Sequence, residues 1–503
     1  MSRKIVRIVI EWHDRYFDEI KQHSVVCLAG MWYNKGNAGS YIGENEMKTI
    51  HEIVRKQRDF FVGGKTMDIN FRKSMLLKLK EAILCNQGKI EAALYADLGK
   101  SKTESYMCEI GLVLSELSYQ AAHIKKLTAT KRRKTPLANF HAKSFIVQEP
   151  YGCVLIMSPW NYPFLLCLQP LAGAIAAGNC AVIKPSAYSP ATSHIIKEII
   201  SEVFEEGFAS VVEGGREENS QLLEEKFDYI FFTGGIHVGK QVMEKASRNL
   251  TPVTLELGGK SPCIVDRDCD IKRAAKRIAF GKYLNCGQTC VAPDYLLIHR
   301  EIKEAFLKEL FAQVRSMYSD EPLENPAYGK MINEKHFNRV LRLIDESKVV
   351  FGGRFDRERL KIAPTVMDSV TREDAVMREE IFGPLLPVIE VGSMAEAAAF
   401  VRQGQKPLAL YIFTNSKESE RLFTERVSFG GGCVNDTLMH LSNENLPFGG
   451  VGASGMGAYH GAKTFETFSH AKSILKTSNW IDLPLRYQPY SRLCDKLIRK
   501  FLK

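Results

Sequence analysis

Short apolar runs alternate with longer amphipathic stretches between residues 144 and 256. Each run has the length of a buried strand, and the stretches between the runs carry apolar residues at helical spacing. The predicted strands are Val154–Met157, Ala181–Lys184, Ala209–Val212, Tyr229–Phe232 and Val253–Leu255. Such alternation predicts an α/β fold with a parallel, doubly wound sheet, and sheets of this kind bind dinucleotides beyond the carboxyl ends of their strands.

Helices are predicted before this region, over residues 71–95 and 109–127, because apolar residues recur there at helical spacing. The longest apolar run, residues 165–183, is interrupted by Gln169, Pro170 and Asn179. This run therefore predicts a buried helix followed by a strand, and we expect no transmembrane segment.

Composition and charge narrow the class of protein. The chain has 503 residues, 45% of them hydrophobic, which is enough for two or three domains with separate cores. Its twelve cysteines have no regular spacing and no signal peptide precedes them, so we expect reduced thiols and a cytoplasmic location. The basic run at residues 131–134 lacks an aromatic or basic continuation, so we expect a solvated loop there and no nucleic-acid partner.

Two cysteines, Cys286 and Cys290, stand between a helix-like run and a strand-like run. Thiolate chemistry needs a reachable turn with polar neighbours, which Gly287, Gln288 and Thr289 supply, so one cysteine is a candidate nucleophile. Two other interpretations stay open at this point: the cysteines are small buried apolar residues, or they bind zinc. Zinc is disfavoured because no second cysteine or histidine pair follows at the required spacing, and we expect no metal.

Four further motifs accompany this turn. They are Pro159-Trp160-Asn161-Tyr162-Pro163, Phe232-Thr233-Gly234 with Gly239, Thr254-Leu255-Glu256-Leu257-Gly258-Gly259-Lys260 and Glu379-Glu380-Ile381-Phe382-Gly383-Pro384. In this order, and together with the cysteine turn, they resemble the aldehyde dehydrogenase superfamily. The turn itself, with residues 435–438 and 446–452, resembles the class 3 branch, which includes fatty-aldehyde dehydrogenases. The resemblance covers residues 47–480, and five ordered motifs are far more specific than one.

The resemblance implies oxidation of an aldehyde to a carboxylic acid with NAD or NADP. Cys290 resembles the nucleophile, and Asn161 with the Cys290 backbone N–H would hold the oxyanion. Glu256 resembles the base that activates water to hydrolyse the thioester. The residues alone also allow Asn161 as a turn former and Glu256 as a surface charge at a strand end. We expect Cys286 to be a neighbour that forms a disulfide with Cys290 on oxidation.

A set of cofactor-binding residues is implied as well: Trp160, Lys184, Thr233, Gly234, Gly239, Glu380 and Phe382. The helix that opens after Thr233 offers backbone N–H groups and its dipole to a pyrophosphate. Lys184 would bond the adenosine ribose and Glu380 the nicotinamide ribose. Ala187 stands where the family usually carries a ribose-binding glutamate, so we expect NADP to be accepted as well as NAD.

We expect an α/β architecture with a Rossmann-like doubly wound cofactor domain, an α/β catalytic domain and a small bridging or oligomerisation arm. The expected bounds are 47–257 for the cofactor domain, with 131–149 in the arm, 258–436 for the catalytic domain, and 437–480 for a return to the cofactor domain and arm. Residues 1–46 do not fit the family pattern, and we expect the native start at Met47, with a genuine extension as the alternative. The glycine-rich stretch 450–455 has no preceding strand and is predicted to be a loop. The likeness implies a homodimer.

The tail, residues 481–503, is basic and amphipathic. Leu493, Leu497 and Ile498 fall on one helical face, while lysines and arginines cover much of the rest. Two interpretations stay open: a helix on an anionic membrane surface, which makes the protein peripheral to membranes, or a helix packed on its own or a partner subunit.

Two other functions compete with hydrolytic aldehyde oxidation. A CoA-acylating dehydrogenase would resolve the thioester with a thiol, but Glu256 favours water. A non-catalytic scaffold is disfavoured because Asn161, Glu256, Cys290 and Glu380 are all present. From the class 3 likeness we expect medium-chain or long-chain aliphatic or aromatic aldehydes as substrates.

Overall fold

Five helices precede the first strand in the computed structural model, which describes residues 49–482 and 487–501. They are α1 Ile50–Val62, α2 Ile69–Cys85, α3 Gln87–Leu98, α4 Lys102–Ser105 and α5 Gly111–Thr128, with one turn of π-helix at Tyr106–Ile110. α1 begins at a capping box between Thr49 and Glu52, each of which bonds the other's backbone N–H. The helices predicted within residues 71–95 are confirmed, and their apolar residues Leu76, Leu79 and Ile90 are fully buried. The expectations for residues 1–46 lie outside the described residues.

A parallel sheet follows. The elements are β1 Lys131–Arg133, β2 Ala142–Pro150, β3 Cys153–Met157, α6 Leu165–Ala177, β4 Cys180–Lys184, α7 Pro190–Val203, β5 Ala209–Val211, α8 Arg216–Glu224, β6 Tyr229–Thr233, α9 Ile236–Ser247 and β7 Val253–Glu256. Strands β7-β6-β3-β4-β5 are neighbours in that order, and every pair is parallel. The five predicted strands and the buried helix before β4 are therefore confirmed. The strand order reverses between β3 and β6, where doubly wound sheets bind ligands at the carboxyl ends of their strands.

The next part of the chain builds a second sheet. Its elements are β8 Pro262–Val265, α10 Ile271–Tyr283, β9 Tyr295–His299, α11 Lys303–Tyr318, α12 Glu334–Leu341, β10 Val349–Phe351, β11 Phe355–Asp356, β12 Lys361–Ile362, β13 Thr365–Met367, α13 Ala375–Arg378, β14 Leu385–Val391, α14 Met394–Arg402, β15 Ala409–Phe413, α15 Lys417–Arg426 and β16 Gly431–Val434. Seven strands have the order β10-β13-β14-β9-β8-β15-β16, all parallel except β10. The cysteine turn lies between α10 and β9.

The last elements return to the first sheet and complete a third one. They are β17 Gly455–Met456, α16 Ala462–Thr467, β18 Ser469–Thr477 and α17 Arg492–Phe501. The prediction of a loop over residues 450–455 is wrong in part, because Gly452–Ser454 form one 3₁₀ turn and Gly455 begins β17, which pairs antiparallel with β7. A strand of two residues is too short to leave an alternating apolar pattern in the sequence. β18 pairs antiparallel with β2 over nine residue pairs, and the sheet order is β1-β2-β18.

The prediction of a solvated loop at residues 131–134 is wrong in part, because residues 131–133 form β1. β1 pairs with residues 144–146 of β2, and its arginines are exposed. An edge strand whose side chains all face water shows no apolar alternation, so its hydrogen bonding leaves no trace in the hydropathy pattern.

The predicted amphipathic helix in the tail is confirmed as α17, and Leu493 on its apolar face is 66% exposed. Among the described residues, the helices are all too short or too polar to cross a membrane.

Candidate active site

The cysteine turn has a strained backbone. Asn285 and Cys286 both have φ of 52° and Gly287 has φ of 73°, so three consecutive residues are left-handed. Non-glycine residues adopt this conformation at a cost of about 1–3 kcal/mol each, and such strain persists where the surroundings enforce it. Gly287 also has no room for a side chain, because a Cβ there would lie 2.3 Å from the Gly383 carbonyl oxygen.

Two side-chain amides enforce the turn. Asn285 Nδ2 donates to the Asn161 carbonyl at 2.8 Å and to the Gln288 carbonyl at 3.1 Å. Gln288 Nε2 donates to the Lys330 carbonyl at 3.0 Å, and Gln288 Oε1 accepts the Ile332 N–H at 3.0 Å. The turn is thus bonded both to the segment after β3 and to the segment before α12.

The two thiols of the turn face different surroundings. Cys286 is 1% exposed and packs in the core of the second sheet, with its Sγ next to Gly329. Cys290 is half-buried and packs against the other core. Burial raises the pKa of both thiols, and at Cys290 the charges of Glu380 and Glu256 raise it further. Cys290 is therefore the thiol that shares a site with the predicted carboxylates.

Asn161 lies directly on the cysteine turn. It follows β3, is 2% exposed, and its Nδ2 donates to the Gln288 carbonyl at 3.0 Å. An amide nitrogen carries two hydrogens, so one remains for a group bound at Cys290. The interpretation of Asn161 as a plain turn former does not account for a buried amide held against the turn.

Glu256 ends β7 and is paired in register with Thr233 of β6. It is 2% exposed, so it is no surface charge, and neither of its carboxylate oxygens has a hydrogen-bond partner among the described residues. Burial raises the pKa of Glu256 well above its ordinary value. A buried carboxylate without partners is expensive, and such groups are typical of catalytic sites.

The turn after β6 fits a dinucleotide. Thr233 Oγ1 is buried and has no hydrogen-bond partner in the described chain, and Gly234 donates its N–H to the Glu256 carbonyl at 3.0 Å. A Cβ on Gly239 would lie 2.7 Å from Leu257 Cδ2, so this glycine lets α9 pack closely on the segment after β7. The amino end of α9 is thereby held at the switch point of the sheet, where its N–H groups suit a pyrophosphate.

Lys184 ends β4, which lies two strands away from β6 in the same sheet. It is 3% exposed, and its Nζ donates to the Pro185 carbonyl at 2.8 Å and to the Gly214 carbonyl at 2.6 Å. Burial lowers the pKa of Lys184. Ala187 is exposed three residues later. The ammonium is therefore oriented at the strand end, and it is not a freely solvated lysine.

Glu380 comes to the same site from the second sheet. The region between Asn161, Cys290, Glu256 and Glu380 is called the cleft below. A Cβ on Gly258 would lie 2.1 Å from Glu380 Oε2, and the other carboxylate oxygen has no hydrogen-bond partner in the part of the chain described. Burial, and then the charge of Asp294, raise the pKa of Glu380 to about 8. Beside it, the Phe382 ring meets the Trp160 ring edge-on at 5.3 Å.

Three residues with no predicted role complete this side of the cleft. Lys260 forms an ion pair with Asp294, whose other oxygen accepts the Ile381 N–H at 2.9 Å. Lys282 is 1% exposed, and burial lowers its pKa to about 8. The sequence feature that could have indicated a buried Lys282 is its position in the otherwise apolar run 278–284. A lysine in such a run also occurs on helices whose polar face is solvated, so the feature is not specific.

Comparison with known proteins gives one family. The model of the aldehyde dehydrogenase family matches residues 35–474. A 4,4'-diaponeurosporen-aldehyde dehydrogenase of Staphylococcus aureus is 47% identical over 459 residues, which are 91% of this chain and 100% of the relative. A dimeric, NADP-preferring aldehyde dehydrogenase of Rattus norvegicus is 44% identical over 86% of this chain and 95% of its own length. The substrate-bound structure of Staphylococcus aureus AldH superposes with a TM-score of 0.89 at 47% identity, covering 91% of this chain and 100% of that one.

Proposed function

The chain belongs to the aldehyde dehydrogenase family and is an NAD(P)-dependent aldehyde dehydrogenase, and from that premise we propose that Cys290, Asn161 and Glu256 carry its chemistry. The observation that supports the assignment is the surroundings of Cys290. The Asn161 amide lies on its turn, and the carboxylates of Glu256 and Glu380 act on its thiol.

In the first step Cys290 loses its proton and its sulfur adds to the aldehyde carbon. The negative charge then collects on the aldehyde oxygen, where the second Asn161 Nδ2 hydrogen and the Cys290 backbone N–H stabilise it. Because burial and nearby carboxylates raise the pKa of Cys290, its thiol is protonated at rest, and its proton passes to solvent water as the sulfur adds to the aldehyde. The chemistry that bound NAD or NADP supplies is acceptance of a hydride, which leaves a thioester on Cys290.

In the last step Glu256 takes a proton from water as the water oxygen attacks the thioester carbon. The carbon–sulfur bond breaks, the acid leaves, and the electron pair returns to Cys290. The raised pKa of Glu256 makes it a stronger base than an ordinary carboxylate once it is ionised. A thiol nucleophile such as CoA would not need this base, and the comparisons do not favour that alternative.

Seven residues would hold the cofactor. They are Trp160, Lys184, Thr233, Gly234, Gly239, Glu380 and Phe382. Lys184 would bond the adenosine ribose and Glu380 the nicotinamide ribose, while the amino end of α9 faces the pyrophosphate. With Ala187 in place of a carboxylate, residue 187 itself presents no like charge to the 2′-phosphate of NADP.

The proposed substrates are medium-chain or long-chain aliphatic or aromatic aldehydes, as the class 3 likeness implies, and the staphylococcal relative is named for one particular aldehyde, 4,4'-diaponeurosporen-aldehyde. The test measures NAD(P)H formation over a panel of aldehydes, with identification of the product with and without CoA. A free acid as the product in both conditions supports hydrolysis, and a CoA-dependent thioester product contradicts it.

We also propose a homodimer in which the arm sheet β1-β2-β18 contributes to the interface, since β18 is an edge strand of this sheet within the described residues and edge strands suit strand addition. The rat relative is named as dimeric. Light scattering on the purified protein measures the mass, and a monomer at all concentrations contradicts the proposal.

We further propose a cytoplasmic location, with the tail in contact with membrane surfaces.

A further inference from the structure

A buried ion pair lies just behind the cysteine turn. Glu109 belongs to the π-helical turn Tyr106–Ile110, and turns of this kind are frequent at functional sites. Its carboxylate pairs with the Lys100 ammonium, and both side chains are fully buried. A buried ion pair contributes little net stability because both charges lose their water, so its main effect is to fix the groups that it bonds.

The pair is bonded to Asn161 and to the residues that follow it. Lys100 Nζ donates to the Asn161 carbonyl at 2.9 Å and lies 4.0 Å above the centre of the Tyr162 ring. Glu109 Oε2 accepts the N–H groups of Phe164 at 2.8 Å and of Leu165 at 3.1 Å, where α6 begins. The backbone of Asn161 and of the segment that follows it, up to the start of α6, is therefore held by this one pair.

The neighbouring Glu104 holds the cysteine turn itself. Its Oε1 accepts the backbone N–H of Asn285 at 2.9 Å, and Asn285 is the first left-handed residue of the turn. The Tyr162 hydroxyl and Thr289 Oγ1 are 2.6 Å apart, which joins the Asn161 segment to the residue before Cys290. Residues 100–109 thus contact both halves of the proposed oxyanion hole.

We propose that Lys100, Glu104 and Glu109 are positioning residues that set the distance between the Asn161 amide and the Cys290 backbone N–H. This inference rests on the proposed role of Asn161 in holding the oxyanion. The three residues touch no substrate in this proposal, and they act by fixing two donors relative to each other. A displacement of about 1 Å between such donors costs on the order of 100-fold in rate.

Two reactions of Cys290 separate positioning from folding, and both proceed without cofactor. With p-nitrophenyl acetate, sulfur bonds to the acetyl carbon, charge collects on the carbonyl oxygen, and p-nitrophenolate leaves as the carbon–oxygen bond breaks. With iodoacetamide, sulfur bonds to the methylene carbon and iodide leaves, so no oxyanion forms. The thiol proton goes to solvent in both. A defect of the oxyanion hole therefore slows acylation and not alkylation.

The variants are Lys100→Met and Glu104→Met, and the expected result is a fall of about 10-fold to 100-fold in acylation, with alkylation of the Cys290 peptide unchanged within about twofold. Glu104→Gln keeps an acceptor for the Asn285 N–H and should restore acylation. Lys100→Met combined with Glu104→Gln and Glu109→Gln leaves no carboxylate of this cluster buried without its cation, so it provides a folded protein in which acylation is still slow.

Two controls complete the experiment. Asn161→Ala should show the same selective loss of acylation. Lys303→Met removes an ion pair with Asp368, 3.1 Å apart, outside the site, and should leave both rates unchanged. If Asn161→Ala slows neither reaction, the proposed oxyanion role is wrong and the inference falls with it. If Asn161→Ala is selective but the Lys100 and Glu104 variants are not, or if they slow both reactions equally, only the positioning role is wrong.

Discussion

The two sides of the catalytic cleft differ in how their polar groups are satisfied. On the cysteine side, the amide nitrogens of Asn161, Asn285 and Gln288 all donate to backbone carbonyls of neighbouring segments. On the carboxylate side, both oxygens of Glu256 and one of Glu380 have no hydrogen-bond partner among the described residues. Donors that are fixed in advance suit a transition state in which charge appears on one oxygen.

Unpartnered carboxylates suit a different task, which is proton transfer. Burial without donors favours their neutral form, so the pKa of Glu256 is raised well above its ordinary value and that of Glu380 is raised to about 8. Glu380 therefore gains and loses its proton near pH 8, and Glu256 does so above the range of an ordinary glutamate. We therefore propose that covalent addition occurs on the side with the fixed donors and that Glu256, on the other side, transfers the proton.

The sharpest test of this division is Cys290→Ala. Turnover should fall by more than about 10,000-fold because no other residue can form the covalent bond, while cofactor binding should persist because the first sheet is untouched. Steady-state kinetics and cofactor titration measure the two effects. The matched control is Cys286→Ala, which should retain turnover, since Cys286 packs in the core of the second sheet. An active Cys290→Ala beside an inactive Cys286→Ala would exchange their roles.

Glu256→Gln tests the other side of the cleft. It removes the base and keeps the shape, so turnover should fall by about 100-fold to 10,000-fold while the first turnover still releases reduced cofactor as a burst. In the wild type, turnover should rise with pH as Glu256 loses its proton, at a pH above the range of an ordinary glutamate because burial raises its pKa. The variant should lack this rise. Unchanged steady-state turnover in Glu256→Gln assigns the base to another residue.

Much of the fold and of the cleft could be predicted from the sequence. The features that could not be predicted share a physical cause, which is that they depend on contacts between distant parts of the chain. The strands β3 to β7 and the turn of Cys290 follow from local patterns within a few residues. The role of Gln288 does not, because its partners Lys330 and Ile332 are distant in the chain. Nor does the burial of Glu256, since nothing in a strand-end glutamate reveals that β17 will pair beside it.

Glu380→Gln probes the carboxylate that would bind the cofactor. At a pH above its pKa of about 8, where the carboxylate is ionised, loss of its charge should raise the KM for cofactor by about 10-fold to 100-fold, as for a lost hydrogen bond to a charged group. The matched control is Glu379→Gln, an exposed neighbour paired with Arg339, which should leave this KM unchanged. Equal effects of both substitutions would contradict a specific role for Glu380.

Stability provides an independent readout for the same variant. The folded pKa of Glu380 is raised from 4.5 to about 8, so its contribution to stability is fully present below pH 4.5 and is lost as pH rises to about 8. Glu380→Gln does not titrate. In denaturation experiments without cofactor, the free energy of unfolding of the variant should rise relative to that of the wild type between pH 4.5 and about pH 8. Above pH 8 the difference between the two proteins should stay constant. A difference that is independent of pH would contradict the burial of this carboxylate.

Ala187→Glu has a smaller expected effect, because Ala187 lies at the exposed rim of the cleft. The new carboxylate should repel a 2′-phosphate and bond the ribose hydroxyls of NAD, so the ratio of kcat/KM for NAD over NADP should rise by about tenfold. Ala187→Gln, which is similar in size but uncharged, separates repulsion from crowding. Strict use of NAD by the wild type would show that another group already rejects the phosphate.

The smallest effect on turnover is expected from the tail, which lies outside the cleft. Deleting residues 487–503 should leave kcat for a water-soluble aldehyde unchanged, since α17 supplies no residue to either side of the site. Basic residues near an anionic membrane surface contribute about 1 kcal/mol each, and the exposed Leu493 adds apolar contact, so the full chain should sediment with anionic vesicles and not with neutral ones. Leu493→Ser weakens apolar insertion with every charge intact. Equal sedimentation with both kinds of vesicle, or unchanged sedimentation after the deletion, would mean that α17 serves protein packing instead.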